Sequence, residues 1–232
     1  FKDSKFYLSL GRTLLYTVCT LPFRVIIPLL VAVLLCSKRV AGKSLTRTMV
    51  YIPVLMSALV VGITINWMFS QEYGLVNFII RSLGGTALEW SLNPRLATFV
   101  IAFASVWASI GFNMILYIGG INSISNDLYE AATIDGASGV QAFFRITVPM
   151  LAPTTFMVVL LSTVNLLKEY ALVQGITQGG PGLSTTYIIQ YIFDKGFNQM
   201  EYGYASAIST VVMIVFALIA YAQFKVNNGG ET

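Results

Sequence analysis

The sequence contains no histidine and only two cysteines, and charged residues make up 10% of its 232 positions. Without histidine, no Ser/His or Cys/His nucleophile pair can form, and two cysteines alone do not make a zinc or haem site. Cys19 and Cys36 fall on one predicted helix, about 25 Å apart at 1.5 Å per residue, which is too far for a disulfide. We therefore expect this chain to perform no catalysis by itself and to bind no metal or cofactor.

Apolar residues are what the sequence has in abundance: 56% of the chain, with a mean hydropathy of +0.75. A membrane-spanning helix needs roughly 20 mainly apolar residues. Five stretches qualify: 14–36, 49–69, 96–118, 154–172 and 204–224. The predicted fold class is an all-α integral membrane protein, a helical bundle of about five spans that forms a single domain over residues 1–232. Membrane lipid is therefore an expected partner of the chain. The long continuous runs disfavour the alternating pattern of an outer-membrane β-barrel.

The positions of lysine and arginine predict the orientation in the membrane. Four basic residues crowd the link between the first two predicted spans: Lys38, Arg39, Lys43 and Arg47. This link is expected inside the cell, and parity then places the loop over 119–150 inside too. Three basic residues would fall outside: Lys2, Lys5 and Arg12. That conflict eases if the chain continues upstream of Phe1, so we expect at least one further N-terminal span. The basic residues form no stripe, and no nucleic-acid partner is expected.

The inner loop over about 123–150 carries the signals of two short helices. Ser125, Asn126 and Asp127 each offer a helix N-cap, and Asp127 and Glu130 are spaced as a capping box, so a first helix is predicted that runs to about Ile134. Asp135 and Gly136 supply a stop, because glycine tolerates the left-handed conformation that ends helices. Ser138 and Gln141 are spaced as a second capping box, and Pro149 and Pro153 mark the exit into the fourth span. The loop is thus predicted to form a helix-turn-helix elbow. A packed interfacial loop without a partner is the alternative.

The elbow sequence resembles the EAA loop in the permease subunits of bacterial ABC importers. The matching residues are Glu130, Ala131, Ala132, Gly136, Ile146, Val148 and Pro149, with Val148 where leucine is commoner. Other segments are similar to the sugar-type branch of that family: YIP at 51–53, SVWASIGFNMILYIGGINSI at 105–124, TQGGPGLST at 177–185 and YGYASAIS at 202–209. The chain is similar over nearly its whole length to maltose-, multiple-sugar- and glycerol-phosphate-type permeases.

This resemblance implies a function as the transmembrane subunit of an ATP-driven importer in the bacterial cytoplasmic membrane. The substrate would be a sugar or oligosaccharide delivered by an extracytoplasmic solute-binding protein. The implied partners are a second, related permease subunit and a cytoplasmic ABC ATPase dimer that binds ATP and Mg. The resemblance also implies a six-span core whose first span precedes this chain. Docking to the ATPase would fall to Glu130, Ala131, Ala132, Asp135, Gly136 and Pro149.

Polar side chains inside predicted spans are candidates for the substrate path, because such groups are costly in lipid and usually face a cavity or another helix. The candidates are Arg24, Asn66, Asn113, Asn165, Lys168 and Glu169. Each has an alternative interpretation. Asparagines often form hydrogen bonds between helices, and Lys168 can pair with a carboxylate or reach toward the membrane surface. The charge of the substrate stays open.

Three alternative functions are weighed against this one. An ABC permease for a non-sugar solute would share the elbow, although the segments at 177–185 and 202–209 favour sugars. A secondary carrier would show internal repeats or helices broken near the midplane, and the sequence indicates neither. A membrane-embedded enzyme would need convergent ionisable groups, whereas only Arg24 lies deep in a span.

Overall fold

The computed structural model describes residues 3–37 and 42–228, and it is helical along most of that length. Lys2, Lys38 and Arg39 fall outside the described residues, so the orientation inferred from them stays a prediction. In chain order the helices are α1 (Ser4–Cys36), α2 (Lys43–Leu55), α3 (Ala58–Met68), α4 (Leu75–Ser82), α5 (Pro94–Asn122), α6 (Asn126–Ile134), α7 (Gly139–Met150), α8 (Ala152–Leu167), α9 (Ala171–Ile176), α10 (Ile188–Phe193, continued by a π-helical turn over Asp194–Asn198) and α11 (Tyr202–Asn228).

The predicted bundle of about five spans agrees with this helix pattern. Within the described part of the chain, α1, α5 and α11 are each long and apolar enough to cross a membrane. Two bent pairs raise the number to five: α2 with α3, and α7 with α8. The all-α fold class is therefore confirmed.

The second span departs from the single run predicted over 49–69. Helix α2 ends at Leu55, and α3 begins at Ala58 in a direction that differs by 101°. Pro53 lies in the last turn of α2, where its ring removes one helical hydrogen bond, and Met56 and Ser57 adopt extended backbone. The expectation that the chain contains no broken helix is therefore wrong. Hydropathy records that a stretch is apolar and carries no information about its direction.

The fourth span is also shorter than predicted. Helix α8 ends at Leu167 rather than near Leu172, and the chain turns through residues 168–170 before α9 begins at Ala171. At its start α8 is bent by 66° from α7. Lys168 and Glu169 consequently lie at a helix break and not within a continuous span.

Glycines let several helices approach closely. A Cβ atom built on Gly62 of α3 would lie 3.0 Å from the Cα of Gly175 on α9. A Cβ atom built on Gly120 of α5 would lie 2.5 Å from the Thr154 hydroxyl oxygen. These two glycines are therefore sites of close packing between helices. Gly119, by contrast, has no atom within 4 Å of its Cβ position.

The segments between the spans form an ordered layer at the end of the bundle where α1 and α5 begin. Asn77 of α4 is fully buried there, and its side chain bonds the backbone of Gln71 and Leu88 and the indole of Trp90. Asp3, which caps α1, accepts hydrogen bonds from Tyr191 of α10 and Tyr204 of α11. These two hydroxyls, with Tyr191 the larger influence, lower the pKa of Asp3 to about 2.

Candidate functional site

The first arm of the elbow is helix α6, and one of its three predicted N-cap candidates caps it. Ser125 is the N-cap residue, and its hydroxyl accepts a hydrogen bond from the Asp127 backbone N–H at 3.2 Å. The predicted capping box between Asp127 and Glu130 is therefore wrong, because Asp127 already lies inside the first turn. The helix ends at Ile134 as predicted, and Gly136 follows with φ +74°, in the left-handed region.

The second arm begins with the capping box that the sequence predicted. The Gln141 backbone N–H donates to the Ser138 hydroxyl at 3.3 Å, and the Ser138 N–H donates to the Gln141 side chain at 2.8 Å. Helix α7 continues through a π-helical turn over Phe143–Thr147 and ends at Met150. The elbow is thus a helix-turn-helix between α5 and α8.

The two arms are fixed to each other and to the bundle. The Tyr129 hydroxyl of α6 lies 2.9 Å from the Thr147 hydroxyl of α7. Ile124 and Leu151, at the two ends of the elbow, are buried in one apolar cluster together with Tyr117 of α5. The same cluster includes Val158 of α8, so the elbow packs directly against both neighbouring spans.

The outer surface of the elbow is open and partly apolar. No side chain of α6 is buried. Glu130 and Ala131 are exposed, as are Asp135, Gly136 and Pro149, while Ala132 is half-buried. Large apolar side chains are also exposed along both arms: Leu128, Ile134, Val140 and Phe144. An apolar surface rimmed by polar groups is typical of a protein contact site.

A buried polar network lies among α1, α5 and the break after α8. The Arg24 guanidinium donates to the Ser105 hydroxyl at 2.6 Å and lies 3.8 Å from the Glu169 carboxylate. Ser105 also donates to Glu169, at 3.5 Å. The Glu169 carboxylate is thus paired with Arg24, and the neighbouring Lys168 is exposed.

Asn113 extends this network along α5. Its amide nitrogen donates to the backbone oxygen of Arg24 at 3.0 Å and to the Ser162 hydroxyl at 3.2 Å. Asn113 is 3% exposed, so it joins three helices from inside the chain, as the alternative interpretation foresaw. Sequence reasoning missed Ser105 and Ser162. The available signal was that Ser105 and Asn113 fall eight residues apart and so near one face of a helix.

The remaining path candidates lie on the surface of the chain. Asn66, Asn165 and Lys168 are all exposed. Asn66 lies two residues before the end of α3, Asn165 lies two residues before the end of α8, and Lys168 follows that end directly. Across residues 3–37 and 42–228, no group of three His, Cys, Asp or Glu side chains is placed to hold a metal ion. The arrangement offers contact surfaces and hydrogen-bonding groups.

Comparison with known proteins matches residues 3–228 to the family described as binding-protein-dependent transport system inner membrane component. The arabinooligosaccharides transport system permease protein AraP of Bacillus subtilis is 32% identical over 227 residues, which cover 96% of this chain and 72% of the relative. The trehalose/maltose transport system permease protein MalF of Thermococcus litoralis is 34% identical over 221 residues, covering 94% and 74%.

Among solved structures, a bacterial ABC transporter involved in the import of the acidic polysaccharide alginate contains a similar chain. The two superpose with a TM-score of 0.89 at 24% identity, over 98% of this chain and 80% of the other. The similarity to transport permeases thus holds for the fold of this chain as well as for its sequence.

Proposed function

This chain belongs to the family of binding-protein-dependent transport system inner membrane components, and from that membership we propose that it forms half of the path through which an ATP-driven importer moves a sugar or oligosaccharide. The chain is a multi-pass inner membrane protein. A second, related permease subunit would complete the path, an extracytoplasmic binding protein would deliver the solute, and a separate ATPase dimer would bind ATP and Mg.

The elbow is the observation that carries this proposal. Its exposed arm presents Glu130 and Ala131 to the outside of the bundle, with large apolar side chains beside them. A loop without a partner would leave that apolar surface in water at a cost of about 25 cal/mol per Å². A cleft in an ATPase subunit would cover the surface, and the small alanine side chain lets the α6 backbone approach such a partner closely.

The anchorage of the elbow explains how docking would become transport. The Tyr129–Thr147 contact makes the two arms move together, and Leu151 and Ile124 seat them in the core beneath α5. A tilt of the elbow when the ATPase closes on ATP would turn α5 and α8 with it. The 66° bend at the start of α8 and the 101° bend after α2 supply joints at which spans can change direction.

The exposed polar residues are the candidates for the path. Asn66 and Asn165 lie near the ends of α3 and α8, and Lys168 follows α8. Amide groups suit sugar hydroxyls, because each amide both donates and accepts hydrogen bonds. Arg24, Asn113 and Glu169 are engaged with one another and with serines inside the chain, so we assign them to holding the spans in place.

The sugar class rests on the relatives. Two curated permeases above 30% identity are named for oligosaccharide or disaccharide transport, and each matches at least 94% of this chain. A non-sugar solute remains the second candidate within the family, and the exposed Lys168 is the observation that favours an acidic one.

The proposal is tested by isolating this chain with a C-terminal tag from its native membrane in mild detergent. Mass spectrometry is expected to identify an ATPase subunit and a second permease that bears its own EAA segment. The complex, reconstituted in proteoliposomes with its binding protein, is expected to accumulate an oligosaccharide only when ATP is enclosed. Accumulation that needs no ATP and follows an ion gradient would contradict the importer and favour a secondary carrier.

A further inference from the structure

A groove of about 720 Å³ runs between α1 and α5 in the half of the bundle away from the elbow. Its volume is in the range of ligand sites, roughly 300–1,000 Å³. The walls are mostly apolar, and several of the side chains that form them are exposed: Leu15, Phe23, Phe99 and Phe103. Such walls suit a hydrocarbon chain and offer little to the hydroxyls of a sugar.

The mouth of the groove is positively charged. Arg12 of α1 and Arg95 of α5 both line it, and no carboxylate does. Among the residues that the structure describes, neither arginine lies within ion-pair distance of an acidic side chain. Arg12 donates one hydrogen bond to the backbone oxygen of Leu183, which holds it at the groove and leaves other guanidinium nitrogens available.

Two buried hydroxyls add hydrogen-bonding capacity at the same place. Ser184 and Tyr187 line the groove next to Arg12. The hydroxyl oxygens of both are buried and have no hydrogen-bond partner within residues 3–37 and 42–228. Buried hydroxyls are rarely left unpaired, because each costs about 1–3 kcal/mol. An oxygen-rich ligand at the mouth would satisfy them.

The depth of the groove corresponds to one leaflet of a bilayer. Arg12 precedes Cys36 by 24 residues and Arg95 precedes Asn122 by 27, which are about 36 and 40 Å along the helices. With a hydrocarbon core of about 30 Å, both guanidinium groups fall at the level of the headgroups on the side away from the elbow. From Arg95 the groove reaches Val106, about 16 Å deeper, close to half of that core.

We propose that this groove is a binding site for an anionic phospholipid of the leaflet opposite the elbow. The phosphate lies between Arg12 and Arg95 and accepts hydrogen bonds from Ser184 and Tyr187. One acyl chain lies along the aromatic wall of α5, against Phe99 and Phe103. The lipid thereby bridges α1 and α5 on the side of the bundle where no other described helix covers the groove. The lipid site follows from the orientation of this chain in the membrane, and it is the same whichever solute is transported.

The test uses the intact transporter complex, freed of lipid in detergent and titrated with dioleoylphosphatidylglycerol or dioleoylphosphatidylcholine. Native mass spectrometry counts the bound lipid molecules. We expect the anionic lipid to bind more tightly than the zwitterionic one, and the variant Arg12→Gln/Arg95→Gln to bind it roughly tenfold more weakly. Ala102→Trp fills the apolar part of the groove without changing its charge, and it is expected to weaken binding as well.

Arg81→Gln serves as the matched control, because Arg81 is an exposed arginine of α4 that does not line the groove. It is expected to bind the anionic lipid as the unaltered complex does. Equal binding of the two lipids, or undiminished binding in both groove variants, would overturn the proposal. A photoreactive residue in place of Phe99 tests whether a protein segment fills the groove instead of lipid. Crosslinking to a polypeptide rather than to lipid would also overturn the proposal.

Discussion

At the scale of single residues, Arg24 and Glu169 carry opposite charges into the interior of the bundle, where they are 6% and 8% exposed. The arginine reaches the carboxylate both directly and through Ser105. Removing one partner of a buried pair leaves an uncompensated charge, whereas replacing both can be nearly neutral. The pair therefore constrains how α1, α5 and the break after α8 fit together.

We expect Arg24→Met to destabilise the chain by about 3–5 kcal/mol, because Glu169 would be left without its cation. The double variant Arg24→Met/Glu169→Leu is expected to recover most of that loss. The apparent Tm of the detergent-purified complex is measured for Arg24→Met, for Glu169→Leu and for the double variant in a double-mutant cycle. If the double variant loses as much as the two single variants added together, the two side chains do not interact.

Asn77 shows a different use of a buried polar side chain. Its amide nitrogen donates hydrogen bonds, and its amide oxygen accepts two. These come from the Leu88 backbone N–H at 3.1 Å and from the Trp90 indole N–H at 2.9 Å. We expect Asn77→Ala to leave these donors unpaired, at about 1–3 kcal/mol for each. Faster proteolysis within residues 70–93 would report the loss. Ser82→Ala, on the exposed side of the same helix, is the control and is expected to leave the proteolysis rate unchanged.

At the scale of helices, the crossing of α3 and α9 depends on two glycines. The Cβ of a residue replacing Gly62 would lie 3.0 Å from the Leu172 carbonyl oxygen and from Gly175 Cα, so only backbone could give way. We expect Gly62→Val to cost about 1–3 kcal/mol and to slow transport, because α3 must move off α9. Gly119→Val, which meets no atom within 4 Å, is the matched control. Equal uptake by the two variants would show that the crossing does not matter.

The contact between Asp3, Tyr191 and Tyr204 joins the start of α1 to α10 and α11. Because the folded pKa of Asp3, about 2, is below its ordinary value of 3.8, the stabilisation is complete above pH 4 and is lost as the pH falls through 2. We therefore expect Asp3→Ala to speed trypsin cleavage at Lys195 by the same factor at pH 6 and at pH 8, each rate being compared with that of the unaltered chain at the same pH. The comparison removes the pH dependence of trypsin itself. A cleavage rate in Asp3→Ala equal to that of the unaltered chain would contradict the stabilising role of this contact.

Several of these elements were accessible from the sequence, for reasons that differ. The elbow was predicted closely because its signals are local. Ser138 and Gln141 form reciprocal capping hydrogen bonds within one turn, and the left-handed conformation of Gly136 needs no distant contact. The break at Met56 was not predicted, because the hydropathy of an apolar segment is the same whether its helix is straight or bent. The partner of Glu169 was missed because Arg24 is 145 residues away, and no local pattern connects them.

At the scale of the whole molecule, the structure places two kinds of surface at opposite ends of the bundle. The elbow lies after α5 and before α8, whereas the charged groove lies where α1 and α5 begin. A single long helix, α5, joins them and packs along α1 and α8 through Arg24, Asn113 and Ser162. In the proposed mechanism, movement at the elbow reaches the spans through these packed helices.

The most direct test is the ratio of solute transported to ATP hydrolysed by the reconstituted complex that carries Gly136→Val. Valine is strained at φ +74°, by about 1–2 kcal/mol, although no atom blocks its Cβ. Gly139→Val makes the same substitution in the same elbow, at a glycine with an open Cβ position and no positive φ. We expect ATP hydrolysis to continue in both variants and the ratio to fall several-fold in Gly136→Val alone. An unchanged ratio in Gly136→Val would contradict the coupling role of the elbow.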